Sequence, residues 1–522
     1  MRVLLIQPPL SDFYHTIIRS YPLSLLLIAS NISKDFELKI LNCRLGRVKK
    51  IKNEDFEELD IFYYENKISP FSLFKGYKYY GLEKKEIIDT IKNFNPEVIG
   101  ISSNFSAHFF ETKNLIKDIK NSFKSVKIVL GGVHPTIFPE EVLKDENVDF
   151  LIRGEGETSF NLLLNSFKEN VAFEKIKGLC YKKNGKIFIN EINIEKDIDF
   201  IPRRDLIDKN AYKWGGSYFS QFLTSRGCPF SCAFCGKIKT PFRKRNLNSM
   251  LEEIETLERE NIKFLSLEDE VLGLDEEHFK KTLELFKEKD FKLSCMNGIY
   301  LGVLKKEFLK EMEEAGFVKI NISLVDISKE LLIKEKRNFL DLVKILDEIE
   351  SYPFLFEIHY IIGMLGQKVE NIFETMEYIM EKRALLAPSV YYLAPSSEEF
   401  KNYYKGENFK YFRSSSLYPY NNFNQKTLFT LLFLARFINY IKMKIDKFEI
   451  NFLEDLIEIS KDEIEKEILK KLLKENKFYF FDKNLKIFKE EPIETELVNY
   501  FIKKIKGKKI KGYKKGKFLT FI

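Results

Sequence analysis

The chain has 522 residues, 44% of them hydrophobic and 31% charged, a composition that excludes a disordered chain and a length that excludes a single ordinary core. Its 85 basic and 78 acidic residues leave a net charge of +7, a small imbalance that argues little for a nucleic-acid partner. No run reaches the ~20 apolar residues of a membrane span, and the opening MRVLLIQPPL lacks the length and cleavage site of a signal peptide. A cytoplasmic protein without a transmembrane segment is expected, with reduced thiols, so clustered cysteines read as ligands or catalysts rather than disulfides.

In chain order, residues 2–9 read as a short apolar strand ended by prolines, 23–32 as a helix and 37–43 as a strand. Helical period at 84–94, a buried strand at 96–103, a helix at 111–123, a strand at 126–132, a helix at 139–145 and a strand at 148–157 follow. Alternating strands and helices predict a parallel, doubly wound α/β sheet of Rossmann-like, flavodoxin type. Ligands of such sheets sit beyond the carboxyl ends of the strands, which here carry Gln7, Ser102, Ser103, Gly131, Gly132, Gly154 and Gly156. Glycines there let backbone approach a large ligand, but RGEGETSF lacks the spacing of a dinucleotide fingerprint, so NAD is disfavoured. His108 and His134, two of five histidines, read by themselves as packing or hydrogen-bonding residues.

Residues 178–190 form two alternating runs around Asn184-Gly185, a hairpin expected to serve as a connector. The polar, proline-containing stretch 194–208 is expected to be a domain boundary. Past it, 217–227 alternates as a strand, and Cys228, Cys232 and Cys235 fall in the loop at its carboxyl end. Zinc would want a fourth ligand nearby, whereas Cys43, Cys180 and Cys295 stand alone in other elements. Three thiolates spaced C-x3-C-x2-C suit an iron-sulfur cluster that leaves one iron open to substrate. Helices at 250–261, 276–289, 306–316 and 340–351 then alternate with strands at 262–270, 292–300, 318–326, 356–364 and 389–395, about six βα units in all.

The motif CPFSCAFC, with an aromatic before its last cysteine, resembles the signature of the radical S-adenosylmethionine (SAM) enzymes. The resemblance implies a [4Fe-4S] cluster on Cys228, Cys232 and Cys235, with SAM chelated to the fourth iron and Phe234 and Gly236 close by. It implies a partial (β/α)6 barrel with its site at the strands' carboxyl ends, where Glu268, Asp269, Asn297, Gly298, Ser323 and Gly363 resemble positions that contact SAM or substrate, and 393–400 resembles the segment after the sixth strand. Two departures stand out: Val325, followed by Asp326, replaces a frequent fourth-strand glutamate, and Leu365 replaces a frequent proline.

With this barrel behind it, the amino-terminal sheet resembles the cobalamin-binding class of the superfamily over roughly residues 1–400. The corrin is then expected on the sheet edge, around Gln7, Ser102, Ser103, Gly131, Gly132, His134 and the loop Gly154, Glu155, Gly156, Glu157. No D-x-H-x-x-G histidine is present to serve as its lower ligand. The expected domains are 1–197 for cobalamin with the connector hairpin, 198–400 for the radical SAM barrel and 401–522, mainly helical, over the barrel mouth. Relatives of this kind use one SAM to methylate cobalamin and a second to make the radical that removes hydrogen from an unactivated carbon, and some cyclise or rearrange instead. The implied partners are an electron donor such as flavodoxin or ferredoxin and a small-molecule, lipid or carrier-bound substrate, with no nucleic acid. The basic stretch 502–518 is expected to be a solvated tail, with peripheral membrane contact as an alternative. A non-catalytic corrinoid-binding module and an iron-sulfur carrier are the other classes left open.

Overall fold

In the computed structural model, which describes residues 1–52, 54–169, 172–328, 339–450, 452–514 and 518–521, the first apolar run becomes β1 (Arg2–Gln7), with five of six side chains buried. Strands β2 (Glu37–Asn42), β3 (Val98–Ser102), β4 (Lys127–Gly131) and β5 (Phe150–Ile152) are the expected parallel partners. Alternate residues feed two cores, Val3, Leu5, Val98 and Val129 on one face and Leu4, Ile6, Ile99 and Ile128 on the other. Burial on both faces is what a doubly wound sheet requires. Helix Lys84–Phe94 forms because Ile87 and Ile91 make one apolar face, a Glu83/Glu86 capping box starts it and left-handed Asn95 stops it.

The hairpin β6 (Leu179–Lys183) and β7 (Lys186–Ile189) turns at Asn184 and Gly185, both at positive φ. It is not a separate connector. Buried Leu179, Cys180 and Tyr181 pair antiparallel with β5, so the sheet has seven strands in the order β7-β6-β5-β4-β3-β1-β2. The polar stretch 194–208 is likewise packed rather than loose, with Glu195 and Arg204 both buried.

Contacts divide the chain into two compact units, one of residues 1–51, 77–270 and 393–412 and the other of 52–76, 271–392 and 413–522, which do not follow the domain boundaries expected above. The first unit also holds β8 (Ser217–Phe222) and, parallel to it, β9 (Phe264–Leu267), joined by helix Leu247–Arg259. In the second, β10 (Lys292–Cys295), β11 (Phe317–Val325), β12 (Leu355–Ile362) and β13 (Leu385–Val390) run parallel in chain order. These are the βα repeats of the expected partial barrel. Strand β13 lies earlier than the expected 389–395, because Tyr391 to Pro395 leave the sheet.

The carboxyl-terminal region holds helices Gln425–Lys447, Asp455–Ile459 and Glu463–Glu475, the last two separated where Asp462 caps the third. Helix Gln425–Lys447 reaches the carboxyl end of β12 with its first turn, where a Cβ on Gly363 would meet Leu428 Cδ2 at 3.0 Å. It lies along β13, where Asn439 accepts from Leu386 N and donates to Leu386 O, satisfying the outer edge of that strand. Over its described residues the basic stretch is no solvated tail: Lys509–Lys511 pairs with Phe518–Thr520, Lys504 and Lys508 meet Glu377, and Lys511 meets Glu350. No helix among the described residues is long and apolar enough to cross a membrane.

Candidate active site

Strand β8 delivers the chain to the cysteines, and a buried carboxylate fixes where it ends. Asp269, 1% exposed, accepts from Thr224 N at 3.1 Å, Thr224 Oγ1 at 2.7 Å and Ser225 Oγ at 2.5 Å. Burial pushes its carboxyl up despite these bonds. Its oxygens are thus engaged in holding the strand end. Glu268 accepts from Ser266 Oγ at 2.6 Å and Gln221 Nε2 at 3.3 Å.

Beyond Ser225 and Arg226 the chain leaves as a loop and returns at Arg243 and Lys244, with Arg226 directly opposite Arg243. At this neck Gly227 has φ +92°, and a Cβ there would stand 2.1 Å from Pro241 O, so only glycine fits. Inside the loop Cys228, Cys232 and Cys235 are half-buried and form no disulfide, and all three line one pocket with Phe230, Lys237, Ile238 and Lys239. Cys235 N donates to Cys232 O at 3.1 Å, folding the C-x2-C half into a turn. No three His, Cys, Asp or Glu side chains among the described residues converge as ligands of a single metal ion. Thiolates that each hold a different iron of one cluster have no need to, and three thiols on one pocket are the donor set such a cluster takes.

The residues after β13 return to this loop. Glu399 N donates to Ala233 O at 3.1 Å and Ser396 Oγ to Gly236 O at 2.9 Å. A Cβ on Gly236 would lie 2.6 Å from Pro395 O, which accounts for the glycine after the motif.

The carboxyl ends of the amino-terminal strands form one edge. Ser102 pairs with Gly131 and Gly131 with Ile152, so these ends stand in one row, and β1 is flanked by β2 and β3, the switch point where such sheets bind ligands. Two of its glycines answer to the protein itself: a Cβ on Gly132 would meet Ser103 O at 2.6 Å, and one on Gly154 would meet Asn193 O at 2.1 Å. Gly131 and Gly156 carry no such constraint. Ser103 is buried, its N donating to Gly131 O and its O accepting from His134 N. Gln7 is buried among Asn42, Ser20 O and Arg44. His134 does not reach a ligand surface. It is fully buried among Phe109, Phe138 and Phe409, with Nδ1 on Ser106 Oγ at 2.9 Å, and burial lowers its pKa to about 3.

Glu155 and Glu157, instead of facing a ligand, form ion pairs with Arg226 and Arg243 at the neck. Nothing local to RGEGE points to these partners, which lie far apart along the chain.

In the second unit Gly298 follows exposed Asn297, and a Cβ on it would meet Ser323 Oγ at 3.0 Å. Strand β11 ends in a bulge between Ser323 and Val325, with Val325 at φ +70°, a strained conformation for a β-branched residue. The bulge turns Asp326 inward, where Gln367 Nε2 donates to it at 2.6 Å, while Gln367 Oε1 accepts from Gly363 N at 2.7 Å. Gly363, at φ +87°, is therefore tied to the fourth strand through Gln367.

One group was legible and, Ser323 apart, missed. On β11 and β12, Ile320, Ile322, Phe356, Ile358 and Tyr360 are buried against the helix side, while Lys319, Asn321, Ser323, Glu357 and His359 share the opposite face. Lys319 pairs with Glu357 at 2.9 Å, and Asn321 Oδ1 is buried without a partner. Burial would raise the Glu357 carboxyl, but His359 and Lys319 outweigh it and hold it low. Period-two polarity in KINIS and FEIHY was the available signal, because fully covered parallel strands carry none.

Comparison with known proteins follows this geometry. The family model of the B12 binding domain matches residues 76–164, and that of the Radical SAM superfamily matches 222–379. The chain is 26% identical over 432 residues to cytidylyl-2-hydroxyethylphosphonate methyltransferase of Streptomyces wedmorensis, covering 73% of this chain and 77% of that protein. It is 25% identical over 342 residues to an uncharacterized methyltransferase of Pyrococcus horikoshii, covering 64% and 67%. Among solved structures, the radical S-adenosylmethionine methyltransferase TsrM of Kitasatospora setae, with cobalamin and a [4Fe-4S] cluster bound, superposes with a TM-score of 0.57 at 16% identity over 76% of each chain, a likeness of fold.

Proposed function

Because the chain is a radical SAM superfamily protein carrying a B12-binding domain, we propose that it is a cobalamin-dependent C-methyltransferase acting on an unactivated carbon of a polar small molecule. The observation that carries this reading is the trio of half-buried thiols, none in a disulfide, lining one pocket on a loop fixed at both ends. Cys228, Cys232 and Cys235 would hold the [4Fe-4S] cluster, with Phe234, Gly236, Glu268, Asn297, Ser323 and Gly363 toward SAM. Gln7, Ser102, Ser103, Gly131, Gly132, Gly154 and Gly156 would form or shape the cobalamin edge. When bound, cluster and SAM supply a radical that removes a hydrogen atom, and cobalamin supplies the methyl group.

The chain's own work is placement and exclusion. The turn Cys232–Cys235 and the segment 394–399 hold the thiols, and their half-burial limits water and oxygen. Lys319, Asn321, Glu357 and His359 present donors and acceptors that a polar substrate satisfies and a hydrocarbon leaves orphaned. The names of the two methyltransferase relatives support methyl transfer. In this reading residues 1–197 carry cobalamin, 198–400 the radical chemistry and 401–522 support the barrel, and a flavodoxin or ferredoxin supplies electrons in the cytoplasm.

The test is anaerobic reconstitution with SAM, cobalamin and a strong reductant, measuring 5'-deoxyadenosine and S-adenosylhomocysteine. Both should form, and a Cys228→Ala, Cys232→Ala, Cys235→Ala variant should lose the deoxyadenosine. Deoxyadenosine without S-adenosylhomocysteine would overturn methyl transfer.

A further inference from the structure

We propose that Glu155 and Glu157, on the loop of the amino-terminal sheet, are positioning residues for the iron-sulfur loop: they neutralise the Arg226–Arg243 pair at its neck and so set how firmly the three thiols are held. The inference rests on the proposed cluster site.

The neck is built against its own charge. Its pairing places Arg226 opposite Arg243 and Ser225 opposite Lys244, and like charges directly opposite in an antiparallel pair are destabilising. Both guanidiniums are only 12% exposed, so solvent screens them little. Glu155 supplies the compensation, accepting from Arg243 Nη1 at 2.6 Å and Nη2 at 2.9 Å and standing 3.6 Å from Arg226 Nη1. Such a two-pronged pairing fixes direction as well as charge. Glu157, which opens helix Glu157–Glu169, accepts from Arg226 Nη2 at 2.6 Å.

The carboxylates are themselves anchored. Glu155 Oε2 also accepts from Glu195 N at 2.6 Å, and Arg243 donates to Glu195 O. Glu195 in turn accepts from Thr158 N and Oγ1, both at 2.9 Å, and from Asn193 Nδ2 at 2.8 Å. The lock therefore runs from the sheet's loop, through 193–195, to both arms of the neck. In the loop that it closes, Phe230 is exposed.

The experiment uses the full chain with its cluster reconstituted, follows loss of cluster absorbance on adding an iron chelator, and checks folding by thermal melt. Glu155→Gln with Glu157→Gln should release iron about tenfold faster or more than the parent, the order expected for losing charge-assisted pairs in a poorly screened site. The swap Glu155→Arg with Arg243→Glu, which restores opposite charges across the neck, should recover most of that loss. A folded Gln variant releasing iron at the parental rate would overturn the inference. Should the double variant not fold, Glu155→Gln alone is compared with the swap, and a swap no slower than the single variant overturns it as well. A parent that takes up no cluster would overturn the proposed function itself.

Discussion

Asp269→Asn separates two roles for one carboxylate. Resemblance places this residue toward SAM, whereas its oxygens accept from Thr224 N, Thr224 Oγ1 and Ser225 Oγ, with the side chain buried. Each hydrogen bond to a charged acceptor is worth about 1.5–3 kcal/mol, and Asn keeps one acceptor oxygen while turning an amide toward donors. One or two bonds are lost, giving an expected destabilisation of about 2–5 kcal/mol. Urea unfolding of the apo chain, followed by circular dichroism, reads this without any cofactor. Loss of stability together with poorer cluster retention supports the role of holding the end of β8. An Asn variant within about 0.5 kcal/mol of the parent, the range of ordinary surface substitutions, but with weakened SAM binding, would refute it.

Three further outcomes are expected. Gly236→Ala should impair cluster retention in a chain that still folds, measured as iron per chain, because the new Cβ meets backbone of 394–395 rather than a movable side chain tip. Lys442 is fully buried among the carbonyls of Met380, Lys382 and Lys511, and burial lowers its pKa to about 7. Its folded value lies below its unfolded value, so stability is full above about 10.5 and is lost as pH falls toward 7, by on the order of 1 kcal/mol per unit. Melts from pH 7 to 10 should show this slope, and Lys442→Met should flatten it. Buried His134, with its pKa lowered to about 3, gives stability that is present above 6.5 and lost as pH falls from there toward 3. His134→Phe should remove that part of the acid sensitivity in melts from pH 7 to 4.

Much of the frame was legible because periodicity reports burial. The strands of the amino-terminal sheet, the barrel repeats other than β13 and the cysteine loop after β8 lie where apolar runs and spacing put them. What was missed depends on partners remote in sequence. RGEGE reads as a ligand loop until Arg226 and Arg243 arrive against it, 69 and 88 residues away. The hairpin 178–190 has its turn written in Asn184-Gly185, but that it joins the sheet edge depends on β5. The lysines of 502–514 look like a tail because their neutralising Glu350 and Glu377 lie more than a hundred residues earlier. His359 and Lys319 were within reach, since their alternation is local, and the apolar character of the strands masked it.

The return of residues 393–412 to the first unit also sets an order of assembly. A ribosome exposes the thiols long before Ser396 and Glu399, whose bonds to Gly236 and Ala233 finish their loop. Until that distant stretch is made and threaded back, loop-closure entropy opposes a settled thiol geometry. Metal loading thus belongs after synthesis of the barrel, and a chain cut before residue 393 would have all three cysteines and no finished seat for them.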